Sequence, residues 1–145
     1  MKVLVTGGAG FIASHTNIEL LNAGFEVVVI DNLINSSLEA IRRVEKLTGK
    51  KITFYQEDLL NEQAIFHIFQ RENVDSVIHF AGLKSVGESC KIPLIDFENN
   101  ITGTINLLKA MEKCQVKNLI FSSSATVYGL PDTVPIKEDF SLSVS

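Results

Sequence analysis

The stretch KVLVTGGAGFIASH, residues 2–15, joins an apolar run to a glycine-rich turn and then to a segment of helical character. The run KVLVT, residues 2–6, is typical of a strand buried on both faces, and such strands belong to parallel sheets with helices on either side. The turn has the order G-x-x-G-x-x-A, which sets Gly7, Gly10 and Ala13 three residues apart. These residues therefore predict a strand, a tight turn and a helix.

The spacing of the small residues predicts a phosphate-binding turn. Gly7 permits a tight turn, Gly10 lets backbone amides approach a diphosphate, and a small residue at position 13 lets helix and strand pack closely. The helix presents unbonded N–H groups and the positive end of its dipole, so that no lysine is required. A tight connection without a ligand is the alternative that glycines alone leave open.

The rest of the chain repeats the alternation of strand and helix. Helical spacing in the first helix predicts that Phe11, Ile12, His15, Ile18 and Leu21 face the core. Because parallel neighbours need helical crossovers, we expect an α/β fold with a doubly wound parallel sheet, a Rossmann fold whose strand order follows 3-2-1-4-5-6 as far as strand five. The predicted strands are 2–6, 25–31, 51–58, 75–82 and 117–125, and the predicted helices are 11–24, 37–49, 62–72 and 95–114.

A carboxylate at the end of the second predicted strand is a further sign of nucleotide binding. Asp31 lies 18 residues beyond Ala13, near the offset of about 20 at which an acid accepts hydrogen bonds from an adenosine ribose. It favours NAD over NADP, because an acid repels a 2′-phosphate and DNLINSS, residues 31–37, contains no arginine. The alternative is that Asp31 only opens an Asx turn with Asn32.

Composition excludes several classes of partner. The 145 residues suit one domain, and a net charge of −4 argues against nucleic acid or an anionic membrane. No stretch has the roughly 18 apolar residues of a membrane span, and glycines interrupt any signal peptide, so we expect a cytoplasmic protein. Cys90 and Cys114 are expected to be unpaired thiols, and the scattered histidines predict no structural metal.

Four stretches together resemble one family: VLVTGGAGFIASH (3–15), VVVIDNLINSS (27–37), VIHFAGLKSVGES (77–89) and LIFSSSATVYG (119–129). Their order and spacing resemble the extended short-chain dehydrogenase/reductases, and among them the UDP-glucose 4-epimerase family, over essentially the whole chain. The resemblance implies tightly bound NAD and a UDP-sugar substrate. It also implies that the sugar C4 hydroxyl is oxidised to a ketone, which is then reduced from its other face.

The resemblance also implies which residues bind each part of NAD. The pyrophosphate would be held by Gly7, Gly10 and the amides of Phe11 and Ile12, the adenosine ribose and adjoining phosphate by Asp31, Asn32, Asn35 and Ser36, the adenine by Asp58 and Leu59, and the nicotinamide half by Phe80, Ala81, Gly82 and Lys84, with Asn99 nearby.

Ser124 matches the family's catalytic serine, whose hydroxyl hydrogen-bonds the reacting sugar oxygen. The alternative is a serine that caps local backbone at the end of a strand. Related 4,6-dehydratases carry an Asp-Glu pair where Ala125 and Thr126 stand here. The resemblance therefore implies that this chain is not equipped to eliminate water.

The chain departs from the family pattern in two places. Ala13 stands for a third glycine, and its methyl group is expected to cost about 1 kcal/mol through overpacking. The family's base is the tyrosine of a Tyr-x-x-x-Lys motif, but Tyr55 is followed four residues later by Leu59, and Tyr128 by Asp132. We therefore expect residues 1–145 to be a single, incomplete dinucleotide-binding domain, the N-terminal part of an epimerase, without turnover of its own.

An incomplete sheet would leave an apolar strand edge, so we expect this chain to self-associate, and the whole protein to be a homodimer by resemblance. Two other functions remain open. One is a non-catalytic dinucleotide-binding sensor, and the other is another sugar-nucleotide epimerase or reductase of the same family.

Overall fold

The computed structural model describes residues 1–82, 93–130 and 133–142, with the side chains of Pro93 and Asp96 left out. Lys84 and Cys90 lie outside the described residues, whereas Cys114 is a free thiol, as expected. The elements in chain order are β1 (Lys2–Thr6), α1 (Phe11–Asn22), β2 (Glu26–Asp31), α2 (Leu38–Thr48), β3 (Thr53–Gln56), α3 (Glu62–Glu72), β4 (Ser76–His79), α4 (Pro93–Phe97), a π-helix (Glu98–Thr102), α5 (Gly103–Lys113), β5 (Asn118–Phe121) and a 3₁₀-helix (Ala125–Tyr128).

The five strands form one parallel sheet in the order β3-β2-β1-β4-β5. This order confirms the predicted doubly wound α/β fold. At the carboxyl end of β1, Thr6 lies between Ile30 of β2 and His79 of β4. The strand order reverses between β1 and β4, with β2 and β3 added on one side of β1 and β4 and β5 on the other. Ligands of such sheets bind in the crevice outside the strand ends at that point.

The two faces of the sheet bury separate apolar clusters, because successive side chains of a strand point to opposite faces. On one face, Val3 and Val5 pack in a cluster with Leu21 of α1 and Val44 of α2. On the other face, Leu4 packs in a cluster with residues of α3 and α5, including Ile65, Phe69, Leu107 and Met111. Helices on both faces explain why β1 is apolar nearly throughout, as its sequence predicted.

The buried face of α1 differs from the predicted one. Phe11 and Ile12 are 81% and 61% exposed, and His15 is also exposed. The buried residues are Ala13, Asn17 and Leu21, spaced four apart. The helix packs on the sheet through the small residue at position 13, so that its apolar first turn points outward, and the predicted face was wrong for that turn.

The predicted helix 95–114 is interrupted by a π-helical segment. Two side chains bond to backbone carbonyls there: Asn99 Nδ2 donates to Ile95 O over 3.0 Å, and Thr104 Oγ1 donates to Asn100 O over 2.6 Å. Side chains that enter the backbone ladder are a known cause of such irregularities. Periodicity alone did not reveal the change of register, because apolar spacing continues on both sides of it.

The described residues contain neither a membrane-spanning helix nor a metal cluster. No helix in residues 1–82, 93–130 or 133–142 has the length and apolar content that a bilayer span requires. Within the same ranges, no three His, Cys, Asp or Glu side chains come together as metal ligands would.

Candidate nucleotide-binding site

A cavity opens at the carboxyl edge of the sheet, beside the crevice between β1 and β4. Its walls are the loops that follow β1, β2, β3 and β4, together with the π-helix. The lining residues are Gly7, Gly10, Ile30, Asp31, Asn32, Ile34, Asn35, Ser36, Glu57, Asp58, Leu59, Phe80, Ala81, Gly82 and Asn99.

Most of the residues that the resemblance assigned to NAD meet in this cavity, although the sequence spreads them from position 7 to position 99. Phe11 and Ile12 are not among the lining residues, but their predicted role belongs to their backbone amides in the first turn of α1. Lys84 falls outside the described residues. The individual roles remain predictions. Sequence reasoning missed Ile30, Ile34 and Glu57, and their only signal is that each adjoins a residue the resemblance had assigned, namely Asp31, Asn35 and Asp58.

The glycine turn lies against the loop after β4. Gly7 has φ +65°, its amide donates to Ile30 O over 2.8 Å, and Gly10 N donates back to Gly7 O over 3.1 Å. A Cβ at Gly7 would lie 2.7 Å from Ala81 N, and one at Gly8 would lie 2.6 Å from Val29 Cγ1. Both contacts are too short for a side chain, so this turn can form only with glycine at these positions.

Helix α1 begins at the mouth of the cavity without a side-chain cap. Gly10 is its N-cap and makes no side-chain cap hydrogen bond to the first amides, and the first turn contains no acidic residue. The first amides of a helix have no partner within the helix, and they carry the positive end of its dipole. This start of α1 can therefore accept an anionic group such as a diphosphate.

Asp31 organises the loop after β2. The residue is 7% exposed, its Oδ2 accepts from Ala9 N over 2.9 Å, and its Oδ1 accepts from Leu33 N over 2.9 Å and from Ser36 Oγ over 2.7 Å. The Asx-turn alternative is therefore present in the structure. A carboxylate oxygen can accept two hydrogen bonds, so Oδ2 can still accept one from a ligand hydroxyl. Asp31 thus both shapes the loop and faces the cavity.

The loops after β2 and β3 are linked by side-chain hydrogen bonds. Asn32 Nδ2 donates to Asp58 Oδ2 over 2.9 Å, and Asp58 Oδ1 accepts from Leu60 N over 2.9 Å. Leu59, which follows Asp58 in the chain, accepts at its backbone carbonyl from Asn106 Nδ2 of α5 over 2.9 Å. These bonds fix Asp58 and Leu59 at the cavity wall.

Asn17 supports the glycine turn from behind and was not identified from the sequence. Its side chain is fully buried, and Nδ2 donates to Gly8 O over 2.9 Å. The signal was a polar residue midway between Ala13 and Leu21 in a buried stripe, a position that apolar residues normally fill. Ala13 is itself 1% exposed, which shows that position 13 is a close helix–sheet contact.

Ser124 is the N-cap of the 3₁₀-helix that follows β5. Its Oγ accepts from Thr126 N over 3.3 Å and lies 2.8 Å from Thr126 Oγ1. Ser124 is not one of the residues that line the cavity. The capping alternative is thus present, and its role toward a substrate remains a prediction.

Tyr55 does not have the properties of a catalytic base. Its hydroxyl donates to Glu72 Oε1 over 2.6 Å. This bond raises the pKa of Tyr55 and, with Lys2 nearby, holds the pKa of Glu72 below its usual value. A tyrosine base needs a lowered pKa, so the shift at Tyr55 is in the wrong direction for that role.

Known proteins resemble this chain over almost all of its length. The family model described as GDP-mannose 4,6 dehydratase matches residues 4–144. A UDP-glucose 4-epimerase of Bacillus subtilis is 59% identical over 145 residues, and one of Dictyostelium discoideum is 61% identical over 144. These alignments cover 100% and 99% of this chain but only 43% and 42% of the relatives. The chain therefore spans less than half the length of the curated relatives it matches.

Solved structures of UDP-glucose 4-epimerases also match nearly the whole of this chain and less than half of their own length. A UDP-glucose 4-epimerase from Bifidobacterium longum in complex with NAD⁺ and UDP superposes with a TM-score of 0.92 at 52% identity, covering 99% of this chain and 43% of the other. One from Stenotrophomonas maltophila with bound NAD and formylated UDP-arabinopyranose gives 0.91 at 48% identity, with the same coverage.

Proposed function

This chain belongs to the GDP-mannose 4,6 dehydratase family, and from that membership we propose that it supplies the NAD-binding half of a UDP-glucose 4-epimerase. The observation that carries the proposal is the cavity at the β1/β4 crevice, where the glycine turn, the uncapped start of α1 and Asp31 meet. NAD, when bound, supplies a nicotinamide ring that accepts the hydride from the sugar C4 carbon and returns it.

The residues present fit a dinucleotide with a diphosphate at its centre. The first amides of α1 offer donors to the diphosphate, and Gly10 at the N-cap has no side chain that would stand in its way. On one side Asp31 offers Oδ2 to a ribose hydroxyl, with Asp58 beyond it for an adenine ring. On the other side, Phe80–Gly82 and Asn99 line the wall that the nicotinamide half would contact.

The choice of epimerase over dehydratase rests on two observations. The relatives that are 59% and 61% identical are UDP-glucose 4-epimerases, although the family model is named after a dehydratase. In addition, Ala125 and Thr126 occupy the positions where dehydratases, by the resemblance above, carry acidic residues. Neither side chain can act as acid or base in the elimination of water.

We assign Ser124 the role of hydrogen-bonding the reacting sugar oxygen. The 145 residues contain no Tyr-x-x-x-Lys, so we expect no turnover by this chain alone, because the family's tyrosine base and its lysine are missing from these residues. Conversion of UDP-galactose to UDP-glucose above the rate of a Ser124→Ala control would contradict this expectation.

Titration calorimetry with NAD⁺ and NADP⁺ tests the cofactor proposal. We expect saturable binding of NAD⁺. The affinity for NADP⁺ should be lower by about tenfold or more, because the Asp31 carboxylate repels a 2′-phosphate. Equal affinity for both would contradict the assigned position of the adenosine ribose. No binding by a chain that circular dichroism shows to be folded would contradict the function itself.

We also propose that the chain self-associates through β5, whereas the homodimer and cytoplasmic location of the whole protein remain predictions from the sequence. β5 is an edge strand, all four of its residues are exposed, and Ile120 and Phe121 are 64% and 58% exposed. Exposed apolar edge strands pair with other chains. Sedimentation velocity should show oligomers that disappear in Ile120→Lys, and a monomer at all concentrations would contradict the proposal.

A further inference from the structure

A series of side-chain hydrogen bonds, here called the relay, joins Thr6, His79 and Thr104 behind the cavity. His79, at the end of β4, is 2% exposed. Its Nδ1 lies 2.5 Å from Thr6 Oγ1, and its Nε2 lies 2.9 Å from Thr104 Oγ1. At the two ends, Ala81 N donates to Thr6 Oγ1 over 3.4 Å, and Thr104 Oγ1 donates to Asn100 O over 2.6 Å.

If the His79 ring is neutral, only one assignment of donors and acceptors fits the hydrogen bonds of the relay. Thr104 has one hydroxyl proton and gives it to the Asn100 carbonyl, so it must accept from Nε2–H of His79. A neutral imidazole has one donor and one acceptor nitrogen. Nδ1 is then the acceptor, Thr6 donates its proton to it, and Thr6 Oγ1 keeps its lone pairs for the amide of Ala81.

Each end of the relay reaches a residue that lines the candidate site or is adjacent to one that does. Ala81 lines the cavity and is the residue that a side chain at Gly7 would strike. Asn100 is adjacent to Asn99, which also lines the cavity, from the π-helix. The relay therefore joins the loop after β4 to the π-helix through the ring of His79, which is not one of the residues that line the cavity.

From this geometry we infer that His79 is a positioning residue for the dinucleotide: as the neutral Nε2–H tautomer it holds Ala81 and Asn99 at a fixed separation on the nicotinamide side of the site. This inference rests on the proposed binding of NAD. A buried imidazole suits the task because an apolar residue could not hold either threonine, and because fully satisfied buried networks favour a single geometry.

Thr104 and a second threonine in a similar environment provide a variant that disrupts the relay and a matched control. Thr104 and Thr48 are both half-buried, and each donates to the carbonyl four residues earlier, over 2.6 Å to Asn100 O and over 2.8 Å to Val44 O. Only Thr104 also accepts from His79. Thr104→Val therefore removes the bond to Asn100 O and the bond from His79, whereas Thr48→Val removes the equivalent bond to Val44 O and one from Lys50 N, both away from the cavity.

Calorimetric titration with NAD⁺ should separate the two variants. We expect Thr104→Val to bind NAD⁺ about tenfold more weakly, and Thr104→Ser and Thr48→Val to stay within about twofold of the unvaried chain. We also expect faster hydrogen exchange at the Ala81 amide in Thr104→Val but not in Thr48→Val, without NAD present. A general loss of stability would change the NAD⁺ affinity and the Ala81 hydrogen exchange of both variants to the same extent.

The ring itself gives a readout that does not depend on NAD. Long-range ¹H–¹⁵N spectra of the histidine rings should show His79 protonated at Nε2 and unprotonated at Nδ1. An Nδ1–H tautomer, or equal affinity of Thr104→Val and Thr48→Val for NAD⁺, would overturn the inference while leaving the proposed function intact. Failure of the unvaried chain to bind NAD⁺ would overturn the proposed function, and the role of His79 toward NAD with it.

Discussion

Replacement of Gly7 by alanine is expected to abolish NAD⁺ binding and to lower the free energy of unfolding by about 2–4 kcal/mol. The new Cβ would lie 2.7 Å from Ala81 N and 2.8 Å from Ala81 Cα, and these are backbone atoms that cannot rotate away. Either the glycine turn or the loop after β4 must move, and both line the cavity. Urea denaturation and calorimetric titration of the same variant measure the two effects.

Gly49→Ala is the matched control for this substitution. Gly49 has φ +67°, against +65° at Gly7, but a Cβ there would meet nothing within 4 Å. Both variants carry the backbone strain of a left-handed alanine, about 1 kcal/mol, and only Gly7→Ala carries the collision. If the two variants lost equal stability and both bound NAD⁺ normally, the close approach of Gly7 to Ala81 would have no part in forming the site.

Replacement of Asp31 by asparagine is expected to weaken NAD⁺ binding about 10- to 100-fold and to cost about 1–3 kcal/mol of stability. An amide has only one acceptor atom, so either Ala9 N or the pair Leu33 N and Ser36 Oγ loses its acceptor. The loss of negative charge should also narrow the preference for NAD⁺ over NADP⁺. Titration with both cofactors measures that preference, which a purely structural defect would leave unchanged.

Asp75→Asn controls for the loss of one negative charge. Asp75 is exposed and also accepts a backbone amide, that of Lys2 over 2.7 Å, but it does not line the cavity. We expect its affinity for NAD⁺ to match that of the unvaried chain within about twofold. A similar loss of affinity in both variants would show that Asp31 acts through net charge and not through a bond to the ribose.

Much of the fold could be predicted because it depends on local patterns. The burial of β1 on both faces follows from KVLVT, and α3 begins and ends where its apolar spacing predicted, at Glu62 and Glu72. The strand order is the usual one of the Rossmann fold, which the glycine turn and the alternation of strand and helix indicated. The gathering of Gly7, Asp31, Asp58 and Ala81 follows from that order, because the carboxyl ends of parallel strands meet at one edge.

Other features depend on contacts between distant residues, which periodicity does not contain. The apolar residues of the first turn of α1 fit a core-facing helix, yet Phe11 and Ile12 are exposed because α1 packs through another face, that of Ala13, Asn17 and Leu21. The π-helix depends on bonds from Asn99 and Thr104 to backbone carbonyls, and its hold on the sheet depends on His79, which is 25 residues away from Thr104.

The sequence by itself determined the order of elements, the parallel sheet and the glycine turn with its acid, because each is encoded within a few neighbouring residues as period, propensity or spacing. Only the tertiary structure decided which side of α1 is buried, where the last long helix changes register and how His79 joins Thr6 to Thr104. Those outcomes depend on hydrogen bonds and close contacts between residues far apart in the chain, and such contacts exist only after the sheet has assembled.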